Sequence, residues 1–201
     1  MTRVPVLATL IVALAVSIMV TLGLWQLLVR LPEKEAYLAQ LAANPGRPPI
    51  AFPAVPDDRL LFRRSAGACA RPQSIRILGA GAQGFRAIAE CPGLVVQLGI
   101  TRDAKAAVVW SGGEVTGYLS QAPDPRPLLA GLWDDTPRRL MLVADPPAAG
   151  LRPNIPPDIG SVPNNHLAYA GQWFFFAAIA SVIYALALRR RPPGHPPSPR
   201  P

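Results

Sequence analysis

The residue best suited to chemistry is His166, which directly precedes an uncharged apolar run at residues 167–188. The run predicts a helix, and the partial positive charge at a helix N-terminus disfavours the imidazolium form. Partial burial beside apolar surroundings acts in the same direction. Both effects favour neutral imidazole, the form that binds a metal ion or haem iron. The alternative interpretation is an interfacial histidine that hydrogen-bonds the backbone or lipid headgroups.

The two cysteines, Cys69 and Cys91, form a second candidate pair. In an exported domain they would meet an oxidising compartment, where disulfides persist. A bond between them would contribute roughly 3 kcal/mol of stability in the chain-entropy model. Unpaired thiols and a copper site are the alternatives, although copper usually requires closer spacing or added His and Met ligands.

The sequence disfavours an enzyme, because it contains no G-x-S-x-G, P-loop or H-E-x-x-H motif. Residues 79–84, GAGAQG, superficially resemble a dinucleotide fingerprint. Their spacing differs from it and no long helix follows, so they predict a flexible hairpin connection. General-base capacity is small, since the chain has two histidines. The second, His195, lies in a Pro-rich tail where we expect it to be solvated.

Charge and composition indicate a membrane protein. The net charge is +8, but all 12 acidic residues lie within residues 33–158, a region that is only mildly basic. Residues 189–201 are basic and Pro-rich. No basic helix interleaved with aromatic residues is present, which disfavours nucleic-acid binding. Apolar residues make up 50% of the chain, as is typical of proteins with membrane spans.

Two transmembrane helices are predicted, at residues 6–28 and 167–188. The second would extend ~33 Å at ~1.5 Å per residue, enough for the ~30 Å hydrocarbon core. Trp173 lies near one end of it, where interfacial aromatic residues are found. The first span could instead be a signal peptide, but its apolar run is too long and lacks an A-x-A-like site. We therefore expect an uncleaved anchor. Small residues at four-residue spacing, at positions 9, 13, 17 and 21, could let this helix approach another closely.

These elements predict a membrane-anchored α+β fold, with two transmembrane helices flanking a β-rich extracytoplasmic domain that also contains a short helix at residues 32–43. Arginines after the second span place both ends, residues 1–5 and 189–201, in the cytoplasm by the positive-inside rule. Residues 29–166 would then be periplasmic, because the absence of an Arg- and Ser-rich transit peptide favours a bacterial inner membrane. The predicted strands suggest an antiparallel sheet or small barrel. They cover residues 60–64, 74–78, 84–89, 94–101, 106–110, 114–119 and 138–144.

Two motifs at the ends of this layout resemble the Surfeit locus protein one family. One is GLWQ at residues 23–26 with Arg30 and Lys34 after it, and the other is NNHL at residues 164–167. Weaker similarities occur at residues 62–64, 84–86 and 113–117. Relative to the family, one extra residue precedes Arg30, which would rotate it by about 100° around a helix.

The resemblance implies a role in assembling haem–copper cytochrome oxidase, by receiving haem a and passing it to the catalytic subunit. His166 would then be the axial ligand of the haem iron, while Trp25 and Trp173 would line a slot between the helices. Arg30 or Lys34 would pair with the propionates. The expected partners are the oxidase catalytic subunit, the haem-a synthesis machinery and membrane lipid. The alternatives are an interfacial belt for the aromatic residues, and a haem-independent scaffold that binds oxidase subunits or other assembly factors.

Overall fold

The computed structural model describes residues 5–124, 126–127, 129, 133–134 and 136–190. Predictions for residues 1–4 and 191–201, including that for His195, lie outside the described residues. The chain divides into two units, Met1–Ala36 with Pro163–Pro201 and Tyr37–Val162. We call the first the helical unit and the second the sheet unit.

The helices and strands follow one another in a simple order along the chain. They are α1 (Val6–Trp25), a π-helical turn (Gln26–Arg30), α2 (Leu31–Ala43), β1 (Ile50–Ala51), β2 (Arg64–Cys69), β3 (Ser74–Gly79), β4 (Phe85–Cys91), β5 (Leu94–Thr101), β6 (Gly113–Gln121), β7 (Leu140–Ala144) and α3 (His166–Arg189).

In the helical unit, α1 and α3 are long and apolar enough to cross a membrane by length and composition. Thr9 Oγ1 near the start of α1 lies 2.5 Å from the Tyr184 hydroxyl near the end of α3. At the other end of α1, Gly23 is buried against Phe174, and a Cβ built on this glycine would lie 2.6 Å from the ring. These contacts make the two helices antiparallel neighbours, and a small residue at position 23 permits their close approach.

Of the four small residues that the spacing pattern predicted at the contact between α1 and α3, only Thr9 lies there. Ala13, Ser17 and Thr21 are exposed. A spacing of four residues drifts by about 40° per step around an α-helix, so a four-residue stripe leaves the contact side within a few turns. Alternating steps of three and four residues, which lead from Thr9 to Gly23, stay on the side of α1 that faces α3.

The sheet unit contains a seven-stranded sheet in the order β1-β2-β6-β7-β5-β4-β3. The pairs β1–β2 and β5–β7 are parallel, and the remaining pairs are antiparallel. The prediction of a purely antiparallel sheet is therefore wrong. The parallel pair forms because β7 inserts between β5 and β6 rather than extending the sheet at an edge.

Two predicted strands are also wrong. Within residues 60–64, Leu60 instead ends a short 3₁₀ turn (Asp58–Leu60), because the Asp57 side chain accepts the backbone N–H of Arg59 at 2.9 Å. Residues 106–110 belong to no strand, and Val109 is 91% exposed. Strands β1 and β2 were missed, since the Ala-, Gly- and Ser-rich sequence of β2 has weak strand propensity. It becomes a strand by pairing along its length with β6.

The two faces of the sheet carry different cores. On one face, Leu98 and Leu142 pack in the cluster that contains Cys69 and Cys91. These cysteines are joined in a disulfide with a Cα–Cα distance of 5.8 Å, and both are buried. On the other face, a second apolar cluster consists of Ile88, Val95, Met141 and Val143. The disulfide thus lies within a packed core rather than at the surface.

The short helix α2 contributes a third cluster to the sheet unit. Its Leu41 is fully buried against Leu61 and Phe62. Asn44 directly follows the helix, is also fully buried, and donates both amide hydrogens, to the carbonyl oxygens of Arg59 at 2.7 Å and Leu61 at 2.8 Å. The Asn44 side chain therefore supplies the hydrogen bonds that water would otherwise donate to these two carbonyl oxygens.

Candidate functional site

The candidate site is formed where the π-helical turn meets the first residue of α3. His166 Nδ1 lies 2.7 Å from Gln26 Oε1, although the two residues are 140 positions apart in sequence. An amide oxygen can only accept a hydrogen bond, so Nδ1 must donate its proton. In neutral imidazole this leaves Nε2 unprotonated and able to bind a metal centre. Gln26 therefore selects the tautomer of His166.

The π-helical turn brings Gln26 to this position without breaking the helix. Hydrogen bonds in such a turn run from residue i to residue i+5, so the turn holds one more residue than an α-helical turn. A turn of this kind would accommodate the extra residue that is predicted before Arg30, and it would offset the rotation of Arg30 expected from that residue in a regular α-helix.

Arg30 and Trp25 form a pair at the same end of the helical unit. The Arg30 guanidinium lies 5.6 Å from the centre of the Trp25 ring, and its Nη1 donates to Glu33 Oε2 at 2.8 Å. The Trp25 residue is 45% exposed and the Arg30 side chain 47%. The ion pair with Glu33 uses one of the five N–H groups of the guanidinium, so a second anion can be accommodated.

Trp173 lies on the same side of α3 as His166. The two residues are seven positions apart. In an α-helix this spacing turns the side chain to within about 20° of its starting direction and moves it about 10 Å along the axis. The buried residues Ala170 and Ala177 mark this side as the one that faces α1. Trp25 is two positions after the buried Gly23, about 200° around α1. The structure therefore brings Trp173 to the His166 side and Trp25 to Arg30, without placing the two tryptophans opposite each other.

Gln26 is a site residue that the sequence patterns did not predict. It belongs to the GLWQ motif, and its position beside Trp25 was the available signal. Nothing in the sequence pairs it with His166, because the contact depends on how two distant helices pack. Among the described residues, no group of three or more His, Cys, Asp or Glu side chains could hold a metal ion. The described part of the chain therefore offers a single imidazole rather than a complete set of protein ligands.

The fold is that of an α+β protein, in which a mixed sheet lies between two long apolar helices in sequence. This architecture is consistent with membrane anchoring. A family model described as the SURF1 family matches residues 13–178, so the chain belongs to this family and the predicted Surfeit locus membership is confirmed. The SURF1 family is linked to cytochrome oxidase assembly and consists of assembly factors rather than enzymes. No curated protein and no solved structure gives a significant match to the chain.

Proposed function

We propose that this protein is a membrane-anchored assembly factor that holds haem a through His166 and delivers it to the catalytic subunit of cytochrome oxidase. The observation that carries the proposal is the 2.7 Å contact between His166 Nδ1 and Gln26 Oε1. Histidines that bind metal commonly donate their second ring N–H to such an acceptor, which fixes the ring orientation. The Nε2 atom of His166 is then the iron ligand.

The donor set of the site fits haem better than a free metal ion. A porphyrin supplies four nitrogen ligands itself, so one axial imidazole is sufficient for attachment. A structural metal ion would instead require several protein ligands, and the described residues provide no such cluster. Haem is the cargo in this proposal, so the protein needs only to bind, orient and release it.

The neighbouring side chains support binding of a large aromatic anion. Trp173 presents an aromatic surface on the His166 side of α3, and Arg30 can donate charge-assisted hydrogen bonds to a propionate. The Glu33 carboxylate competes for the Arg30 guanidinium at 2.8 Å. Arg30 therefore contributes modestly to affinity, which suits a protein that must release its cargo.

We further propose that both chain ends are cytoplasmic and that the sheet unit is periplasmic, in a bacterial inner membrane. Arg189 and Arg190 follow the apolar part of α3 and support this orientation through the positive-inside rule. Protease added to spheroplasts should digest the sheet unit. Digestion that requires opening of the cytoplasmic face would overturn the orientation.

The direct test is an absorption spectrum of the detergent-purified protein from a host that makes haem a. We expect a haem spectrum for the wild type and for His195→Ala, which removes the only other histidine. His166→Ala should lose the spectrum, and added imidazole should partly restore it by supplying the missing ligand. Retention of haem by His166→Ala would refute the assignment of the ligand.

A haem-independent scaffold is the second candidate, because the same 2.7 Å contact also ties α1 to α3. In that case the wild type would carry no haem but would still co-purify with an oxidase subunit. His166→Ala would then lower thermal stability without any spectral change. Partner binding and haem content, measured on the same preparation, separate the two functions.

A further inference from the structure

Strand β3 forms one edge of the sheet, and among the described residues no strand pairs with its outer side. Half of the backbone N–H and C=O groups of an edge strand point away from the sheet, where an extended chain can pair with them. The strand contains no proline, and Arg76 is its only charged residue. It therefore has little of the protection that edge strands usually carry.

A groove of 480 Å³ lies beside β3, on the face of the sheet that carries the Ile88 cluster. Arg76 and Leu78 of β3 and Glu90 of β4 line the groove together with residues 122–124 and 136–139. Its volume falls within the range typical of ligand sites. Leu78 also packs against the Ile88 cluster, so the groove offers an apolar surface as well as charges.

The charges at the β3 end of the groove are not balanced. The Glu90 carboxylate accepts from Arg76 at 2.9 Å and from Arg139 at 3.1 Å, so two guanidinium groups share one carboxylate. The side chains of both arginines are more than half exposed. This end of the groove therefore carries excess positive charge.

Counted over the described residues, the charges at the far end of the groove balance. Arg126 pairs with Asp124 and with Asp134, each at 2.9 Å, and Arg138 lies 3.7 Å from Asp124. Two cations thus face two anions. An anionic ligand is consequently attracted to the β3 end.

We propose that the outer edge of β3 binds an extended segment of a partner protein, which adds to the sheet as an eighth strand. On neighbouring strands, residues directly opposite each other lie on the same face of the sheet. The partner residue opposite Arg76 is acidic, and the one opposite Leu78 is apolar. Ile75 and Ile77 pack on the other face and select apolar neighbours. For an added strand that runs parallel to β3, the recognised sequence is therefore apolar–acidic–apolar–apolar. Several peptide-binding domains bind their ligands by adding a strand to a sheet edge in this way.

The test uses the full chain in lipid nanodiscs and a fluorescent peptide with blocked ends, Thr-Val-Glu-Val-Leu-Thr. Fluorescence anisotropy should show binding of this peptide, and a peptide with Lys in place of Glu should bind about tenfold more weakly. Arg76→Glu should reverse the preference. Arg102→Glu alters an exposed arginine outside the groove and should change neither affinity.

Peptide methylation tests the backbone pairing without altering the protein. N-methylation of alternate amides along one edge of the peptide should abolish binding, and methylation along the other edge should leave it intact, because an added strand pairs on one side only. The proposal is overturned if neither peptide binds, if both bind equally, or if both methylation patterns are tolerated. Concentration-dependent dimerisation that Arg76→Glu abolishes would also overturn it, since the occupant of the edge would then be a second copy. The peptides contain no haem, so these outcomes do not depend on the proposed cargo.

Discussion

Gln26 should control the ring tautomer of His166 and, through it, the affinity for haem. Within the described part of the chain, the 2.7 Å contact with Gln26 is the only hydrogen bond of the His166 ring. Gln26→Ala removes the acceptor, so the neutral ring becomes free to move its proton to Nε2. The Nε2 atom can then no longer bind iron until the proton returns to Nδ1.

The expected loss can be estimated from the geometry. A neutral hydrogen bond of this kind contributes about 1 kcal/mol. Removing a partner that orients a metal-binding histidine typically lowers metal affinity by about 10- to 100-fold. Because the imidazole is partly buried rather than fully enclosed, we expect about tenfold weaker haem binding for Gln26→Ala, equivalent to about 1.4 kcal/mol. Gln26→Glu retains an acceptor and should bind more tightly than Gln26→Ala.

Nitrogen NMR of protein labelled with ¹⁵N-histidine measures the tautomer directly. In a His195→Ala background a single imidazole remains, so its two nitrogen signals are assigned without ambiguity. The wild-type ring should carry its proton on Nδ1, and Gln26→Ala should show a mixture. Gln172→Ala, which removes an exposed glutamine of α3, is the matched control. A wild-type ring protonated on Nε2, or identical spectra and haem affinity for Gln26→Ala, would contradict the role of Gln26 in selecting the tautomer.

Three further predictions concern the sheet unit. Cys69→Ser removes the disulfide to Cys91. Because the two cysteines are 22 residues apart, the free energy of unfolding should fall by about 3 kcal/mol. The midpoint of chemical denaturation should be lower, and reductant should lower it equally in the wild type. Asn44→Ala leaves two carbonyl oxygens without their donor and should cost about 2 kcal/mol in the same assay, whereas an unchanged midpoint would contradict the role of this side chain. Hydrogen bonds from Arg126 lower the pKa of Asp124 to about 2. Its ion pair is therefore complete above pH 4, the region of the ordinary pKa, and is lost as the pH falls towards 2. A ¹³C titration should show this, and Arg126→Ala should return the pKa of Asp124 towards its usual range.

The strand predictions show where sequence patterns succeed. Strands β3, β4 and β5 begin and end within two residues of their predicted positions, since each is β-branched or apolar and bounded by turn residues. Strand β2 was missed because its residues have little intrinsic preference, and pairing with β6 determines its conformation. Residues 106–110 show the reverse case, in which a segment with high strand propensity does not form a strand. Val108 and Trp110 favour a strand, but they pack on the core without entering the sheet.

The two apolar helices and the family could be predicted from the sequence, because helix length, absence of charge and short motifs are properties of contiguous residues. It also identified His166 and the cysteine pair as candidates. Three features became visible in the folded chain alone: Gln26 contacts His166, β7 lies between β5 and β6, and β3 is left at an edge. Each of these depends on contacts between residues that are distant in the chain. Such contacts are selected by the packing of whole elements, and no local pattern of residue types specifies them.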